Sequence, residues 1–237
     1  KNYRTLVQTQ VWDGTSQTIT TNIPRDFLIQ RILLDINNPS IACTGTSTLV
    51  QDPFLKCIDK IKIVAVGEGS SRTIFECSGK DLYAMNMVDY GSAPQDLTVP
   101  ATTTAGIAHT GFVIDWRVNR LDPDDYSVAL PSYLLSTLQL EITYLVPSAT
   151  TWGTNFPTTL GTTTTTITLI EGIPEANEDF SSNPLMTILT KTLTGDTTTG
   201  TDETFDTFFQ VGALIKRAFL CTETSAGVRS DTEIENY

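Results

Sequence analysis

The residues that could carry chemistry are few, and the only histidine is the first to consider. His109 stands in "AGIAHTG", a Gly-flanked segment that predicts a loop before a strand. A nucleophile–base pair requires a base poised near neutral pH, but no G-x-S-x-G or cysteine-centred signature accompanies this histidine. We interpret His109 as a surface or loop-anchoring residue, and the chain as not an enzyme.

A turn with three carboxylates is the second candidate. Asp122, Asp124 and Asp125 in "LDPDD" could ligate a hard cation such as Ca²⁺, which takes six or more oxygen ligands from several segments. The spacing is not that of an EF-hand, and Pro123 favours a simple turn. "GEGSS" (67–71) lacks the G-K-[ST] ending of a phosphate-binding loop and predicts a hairpin turn. The sequence therefore predicts no cofactor and no metal, with these aspartates as the candidates if a metal binds.

The four cysteines are Cys43, Cys57, Cys77 and Cys221, without a CxxC pair. Two disulfides could join them in three ways. However, three of them lie beside strand-like apolar segments, where a reduced thiol behaves as a small hydrophobe. We expect free buried thiols.

Composition predicts an all-β protein. Threonine supplies 41 of the 237 residues, and its β-branched side chain favours strands over helices. The net charge is −12, without the clustered Lys and Arg that would neutralise phosphates. Direct nucleic-acid binding is therefore not expected, and no run of 18 apolar residues is present.

Period-2 alternation indicates strands that bury one face. In "LQLEITYLV" (138–146) and "FVIDWRV" (112–118) alternate positions are apolar, Trp116 among them. Asp115 is expected to face solvent while Trp116 packs inward. Each large apolar side chain removed from water contributes about 2 kcal/mol, so these faces must meet a second sheet. The spacing of apolar residues in "GKDLYAMNMVDYG" (79–91) predicts one short helix.

The segment after Pro147 changes character. Residues 148–166 have few charges and many Thr, Gly and Pro residues, which predicts a linker or an extended surface loop. The alternative is a Thr-rich edge strand. Trp152 lies in this segment, where it could anchor an arm onto a neighbouring subunit.

Two distant parts of the chain carry similar features in the same order. "TLVQTQVWDG" (5–14) aligns with "TILTKTLTGD" (187–196), and "DFLIQRILLDI" (26–36) with "GALIKRAFLCT" (212–222). Ordered matches indicate two similar domains in tandem. Arg31 and Arg217 occupy the same place in the second pair. Each could reach a carboxylate across a domain boundary, or pack its stem with its head in water.

Four segments then resemble the first barrel of a known family: "IPRDFLIQRILLDI", "CIDKIKIVAVGEG", "TIFECSGKDLYAMNMVDYG" and "FVIDWRVNRLDPDDYSVALPSYLLSTLQLEITY". The family is the double jelly-roll major capsid proteins of tailless icosahedral DNA viruses. The shared features are the strand with an internal Arg, the I-x-I strand before a glycine turn, the short helix and the closing L-x-L-x-I strand. They cover most of residues 16–146 and recur weakly at 187–237.

The resemblance implies a jelly-roll β-sandwich repeated in tandem. The first jelly roll is expected at 1–147, the linker at 148–166, and the start of a second jelly roll, truncated in this chain, at 167–237. The family also implies a homotrimer that contacts neighbouring capsomers and other capsid or membrane-associated virion proteins. The protein would then belong to the virion and be assembled in the host cytoplasm.

A jelly-roll carbohydrate-binding or surface-adhesion module is the alternative. In that case Trp12 or Trp152 would be a sugar-stacking platform in a loop. A cupin-type enzyme would need clustered metal-ligating histidines, and one histidine cannot supply them.

Overall fold

A computed structural model describes residues 15–67, 69–91, 99–117, 121–122, 124–158 and 163–173, and the backbone alone of residues 2–10 and 188–189. The chain divides into two units, Lys1–Ile188 and Leu189–Tyr237. The elements that follow lie in the first unit, apart from the last strand, which straddles the division.

Within the described ranges the chain forms ten strands, two α-helices and a 3-10 turn. The strands are β1 (Asn2–Gln10), β2 (Gln17–Asn22), β3 (Leu28–Ile41), β4 (Ile58–Gly67), β5 (Ser70–Cys77), β6 (Gly106–Asp115), β7 (Leu130–Pro131), β8 (Thr137–Tyr144), β9 (Thr163–Gly172) and β10 (Ile188–Leu189). The helices are α1 (Pro53–Lys56) and α2 (Gly79–Tyr90), and the 3-10 turn is Ser132–Leu134.

The strands of the first unit form two antiparallel sheets. Sheet A has the order β1–β9–β3–β6, with β7 paired to the start of β3, and sheet B contains β5–β4–β8–β2 in that order. The chain passes from one sheet to the other at six of the eight connections from β1 to β9, and β9 returns to lie beside β1. An antiparallel double sheet with this order is a jelly roll. The predicted all-β, jelly-roll β-sandwich is confirmed.

The core lies between the two sheets and follows the predicted alternation. On β8 every second residue from Leu138 to Tyr144 is buried, and on β6 Phe112 and Ile114 are buried, followed by Trp116 just beyond the strand. The hydroxyl groups of Tyr144 on sheet B and Thr165 on sheet A lie 3.3 Å apart. This contact gives the apolar interior one buried polar link between the sheets.

Part of the predicted linker or extended surface loop at 148–166 is a strand: residues 148–158 lie in the connection between β8 and β9, whereas 163–166 begin β9. β9 also differs from the alternative of an edge strand. β9 pairs with β1 from Thr163 to Glu171 on one side and with β3 on the other, so it lies inside sheet A. Its inward residues Thr163, Thr165, Ile167 and Leu169 are fully buried. Threonine suits this place because its branched side chain packs in a strand while its hydroxyl finds partners in the core. The predicted boundaries at 147 and 167 thus both fall within the first unit.

The predicted short helix is confirmed as α2. Ser78 caps its start, accepting a hydrogen bond from the Asp81 backbone N–H at 3.2 Å. Gly91 ends it with φ 69°, a conformation that glycine adopts without steric cost. A Cβ on Gly79 would lie 2.8 Å from the Ile58 side chain, so the helix begins in close contact with β4. No helix in the described ranges is long and apolar enough to cross a membrane.

Placing β9 in sheet A predicts a large effect of mutation. Ile167→Ala should lower the free energy of unfolding by about 2–5 kcal/mol, because it leaves a cavity between the sheets. Thr166→Ala, on the outer face of the same strand, should cost less than about 1 kcal/mol. Urea denaturation of both variants checks this, and a negligible effect of Ile167→Ala would contradict the position of β9.

Candidate functional site: the Asp115 cluster and its surroundings

The Asp115 carboxylate, at the end of β6, is the centre of a buried polar cluster. The Arg117 guanidinium donates from Nε to both carboxylate oxygens at 3.1 Å and from Nη2 to Oδ2 at 2.7 Å. The Tyr90 hydroxyl, at the end of α2, donates to Oδ2 at 2.6 Å. Asp115 and Arg117 are 3% and 5% exposed. These three residues are called the Asp115 cluster below.

The electrostatics of the cluster favour an ion pair. The hydrogen bonding of the Arg117 guanidinium to the Asp115 carboxylate raises the pKa of Arg117, although burial acts in the opposite direction. Arg117 Nη1 also donates to the Asp122 carbonyl oxygen at 3.3 Å. The cluster therefore ties together the end of β6, the last turn of α2 and the turn at Asp122.

The expectation that Asp115 faces solvent is wrong, because the last turn of α2 and Arg117 cover it. A signal for this site existed in the sequence. Asp115 and Arg117 are two residues apart, which places them on one side of an extended chain. Opposite charges at that spacing can form an ion pair. The alternation of apolar residues did not indicate this possibility, because in such a pattern every charged residue is taken as solvent-facing.

Arg31 lies directly opposite Asp115 in the β3–β6 register. The Asp115 carboxylate is nevertheless occupied by Arg117 and Tyr90. Arg31 is partly exposed, and its Nε is buried without a hydrogen-bond partner among the described residues. The carboxylate partner considered for Arg31 therefore stays a prediction, and Arg217 lies outside the described residues.

Trp152 is fully buried in the loop between β8 and β9. Its ring meets that of Phe54 edge to face, with centroids 6.4 Å apart and planes at 75°. The Val50 N–H donates to the Trp152 carbonyl at 3.0 Å. Gly153 follows with φ 120°, and a Cβ there would lie 2.1 Å from the Thr48 carbonyl oxygen. Trp152 thus fastens this loop to the β3–β4 connection within one subunit.

Neither of the other two tryptophans shows an exposed ring face among the described residues. Trp116 is fully buried between the sheets. Trp12 lies outside the described residues. With Trp152 also buried, neither described tryptophan offers a ring face for stacking on a sugar.

The three candidate metal ligands are used in, or near, local turns. Asp122 Oδ1 accepts a hydrogen bond from the Asp124 backbone N–H at 2.8 Å. Asp125 Oδ1 accepts from the Ser127 N–H at 3.1 Å and from its hydroxyl at 2.6 Å. Across the part of the chain that the structure describes, no three His, Cys, Asp or Glu side chains are grouped so that they could hold a metal ion.

His109 lies within strand β6, so its predicted loop position is wrong. Its Nε2 lies 2.5 Å from Asp35 Oδ1 on the neighbouring β3. Both side chains are partly exposed. The pair links two strands on the outer face of sheet A.

Cys43, Cys57 and Cys77 are free and buried, as expected; Cys221 lies outside the described residues. Burial raises the pKa of the Cys57 thiol from 9.0 to about 12, and a hydrogen bond with Thr151 opposes this in part. Burial likewise raises the pKa of Tyr144 from 10.0 to about 12, with the Thr165 hydrogen bond acting in the opposite direction. A thiol that stays protonated at neutral pH is a poor nucleophile.

Comparison with known proteins gives structural matches only. No family model and no curated protein matches the chain. Among solved structures, it is similar to the crystal structure of the STIV MCP, with 17% identity, a TM-score of 0.47, and coverage of 73% of this chain and 49% of that one. The atomic structure of Sulfolobus Turreted Icosahedral Virus gives 22% identity, a TM-score of 0.46, and coverage of 71% and 45%.

The quasi-atomic model of the PBCV-1 virus capsid is also similar, with 14% identity, a TM-score of 0.45, and coverage of 71% of this chain and 41% of that one. The chain thus spans less than half the length of each of these three solved chains.

The two arginines opposite and beside Asp115 should respond differently to mutation. Arg117→Met should lower the free energy of unfolding by about 3–5 kcal/mol, because it leaves the Asp115 carboxylate buried without its cation. Arg31→Met should cost less than about 1 kcal/mol, because its packed stem is preserved. Chemical denaturation of both variants measures the difference; equal losses would mean that Arg31 shares the carboxylate.

The raised pKa values predict a loss of stability in alkali. Unfolded Cys57 and Tyr144 lose their protons near pH 9 and pH 10, whereas the folded chain keeps both protons up to about pH 12. Their contribution to stability is therefore complete below pH 9 and declines as the pH rises towards 12. Tyr144→Phe should make the decline shallower above pH 10.

Tyr133→Phe is the matched control, because Tyr133 is 37% exposed. It should leave the pH profile of urea denaturation unchanged. A Tyr144→Phe profile parallel to that of the wild type would show that the phenol is not protected by the core.

Proposed function

We propose that the chain is a structural protein that self-assembles into the icosahedral shell of a virus, as a major capsid protein. The observation that carries the proposal is a jelly roll closed by β9 and followed in the sequence by segments similar to those that form β1 and β3. The four segments that resemble double jelly-roll capsid proteins contain all of β4, α2, β7 and β8, and parts of β3, β5 and β6.

The repeat supports a second jelly roll once β9 is assigned to the first. The segment at 5–14 covers most of β1, and its match at 187–196 begins beyond β9. The segment at 26–36 covers the first part of β3, and its match at 212–222 follows in the same order. We therefore place the junction between the two jelly rolls after Gly172 rather than at 147–167.

The surface of sheet B suits a structural role. Its outer face carries ion pairs between strands, Lys60 with Glu76 at 3.2 Å and Lys62 with Glu141 at 3.4 Å. Such exposed pairs contribute little stability each, but they keep a sheet face soluble without assembling a reactive group. Shell building needs rigid tiles with defined faces and no chemistry.

In this proposal the protein forms a homotrimer that contacts neighbouring capsomers and other capsid or membrane-associated virion proteins. It resides in the virion after assembly in the host cytoplasm. The net charge of −12 opposes direct contact with a polyanionic genome, so nucleic acid is not among the proposed partners.

The carbohydrate-binding alternative is less well supported. Its best evidence was an aromatic ring in the Thr-rich loop, and that ring is the buried Trp152. A stacking platform must expose one face of the ring to a sugar. Trp12, outside the described residues, is what remains of that alternative.

Native mass spectrometry of the assembly from its source tests the proposal. The expected species is three copies of one chain, together with larger multiples of that trimer. A glycan array probed with the same material should give no signal. A monomer that binds glycans would overturn the proposal in favour of the binding module.

A further inference from the structure

β6 is the last strand of sheet A, and its far side has no strand beside it among the described residues. An edge strand of this kind presents backbone N–H and C=O groups to any extended chain that approaches, including another copy of the same protein. At a concentration high enough for self-assembly, strand pairing at such an edge would compete with the contacts that build the assembly.

Asn86 of α2 occupies this edge. Its side-chain oxygen accepts a hydrogen bond from the Val113 N–H at 2.7 Å, and its side-chain nitrogen donates to the Val113 carbonyl at 2.8 Å. Residues of a hydrogen-bonded antiparallel pair exchange the same two bonds. The Asn86 amide therefore takes the place that a residue of a neighbouring strand would have. It is only 3% exposed, so water does not compete for these bonds.

A second contact continues in the same direction. Tyr90 lies four residues after Asn86 and donates to Asp115, which lies two residues after Val113. Four helical residues advance about 6 Å, and two strand residues advance about 6.8 Å. These two distances are similar enough for one face of α2 to run along the edge of β6 and contact it twice in succession. The Tyr90–Asp115 hydrogen bond therefore continues the contact that Asn86 makes with Val113.

We infer that α2 acts as a surrogate strand, closing the end of the β6 edge at Val113 and Asp115 so that a second copy of the chain cannot add to sheet A there. Self-association is thereby directed to surfaces other than this edge. The inference goes beyond the proposed function, because it depends only on contacts within the first unit and holds for the chain in any assembly.

Asn86→Ala in the full chain tests the inference. The Val113 amide should exchange its hydrogen at least about tenfold faster than in the wild type, since one buried hydrogen bond is lost. Sedimentation velocity should show concentration-dependent species larger than the wild-type assembly, with thioflavin T fluorescence above that of the wild type.

Asn38→Ala is the matched control. Asn38 is also fully buried and donates to Thr163, but it lies on β3 inside sheet A. This variant should lose stability without gaining the larger species. If Asn86→Ala and Asn38→Ala associate to the same extent at equal stability, or if Val113 exchange is unchanged in Asn86→Ala, the inference is overturned.

Asn86→Asp carries the test if Asn86→Ala does not fold. The aspartate can still accept from the Val113 N–H but cannot donate to its carbonyl. Larger species should then form in amounts above the wild-type level, and an association state identical to that of the wild type would contradict the inference. Neither result depends on whether the source assembly is a shell.

Discussion

The pairing of β9 between β1 and β3 is the contact on which the rest of the sandwich depends. Without β9, β1 would have no partner strand among the described residues, and sheet A would be reduced to β3, β6 and the short β7. The inward face of sheet B, with Leu138, Leu140 and Ile142, would then be only partly covered. Because β8 and β9 belong to different sheets, the connection between them must cross the end of the sandwich. Trp152 and Phe54 hold that crossing in place.

The buried polar groups lie where apolar packing alone would not fix how one element is positioned against another. An ion pair taken out of water costs desolvation that its own attraction only partly offsets. Asp115 and Arg117 are therefore better explained by position than by net stability, since they fix where α2 meets β6. The Tyr144–Thr165 contact similarly sets one sheet against the other within the core. A protein that tiles a surface through repeated contacts depends on such fixed geometry more than on a flexible site.

The sequence predicted the elements whose pattern is local. β6, β8, α2 and the β4–β5 hairpin follow from alternation, capping and glycine positions. The first four residues of β9, Thr163 to Thr166, are threonines, which count as polar in an alternation although Thr163 and Thr165 point into the core. For this reason the sequence favoured a linker or loop there and offered a strand only as an edge strand. The burial of Trp152 and Asp115 was not predicted either, because each residue contacts a neighbour distant in the chain. Trp152 packs against Phe54, and Asp115 accepts a hydrogen bond from Tyr90. Strand order is a property of such long-range pairs, and the family resemblance rather than the periodicity indicated the jelly roll.

The central claim is that this jelly roll is a building block of a viral shell. Electron cryomicroscopy of particles from the source tests that claim most directly. The account predicts a closed icosahedral shell in which density for β1 to β9, with β9 between β1 and β3, repeats throughout the wall. Particles whose wall lacks this sandwich, or whose copies of it project as isolated spikes, would contradict the account.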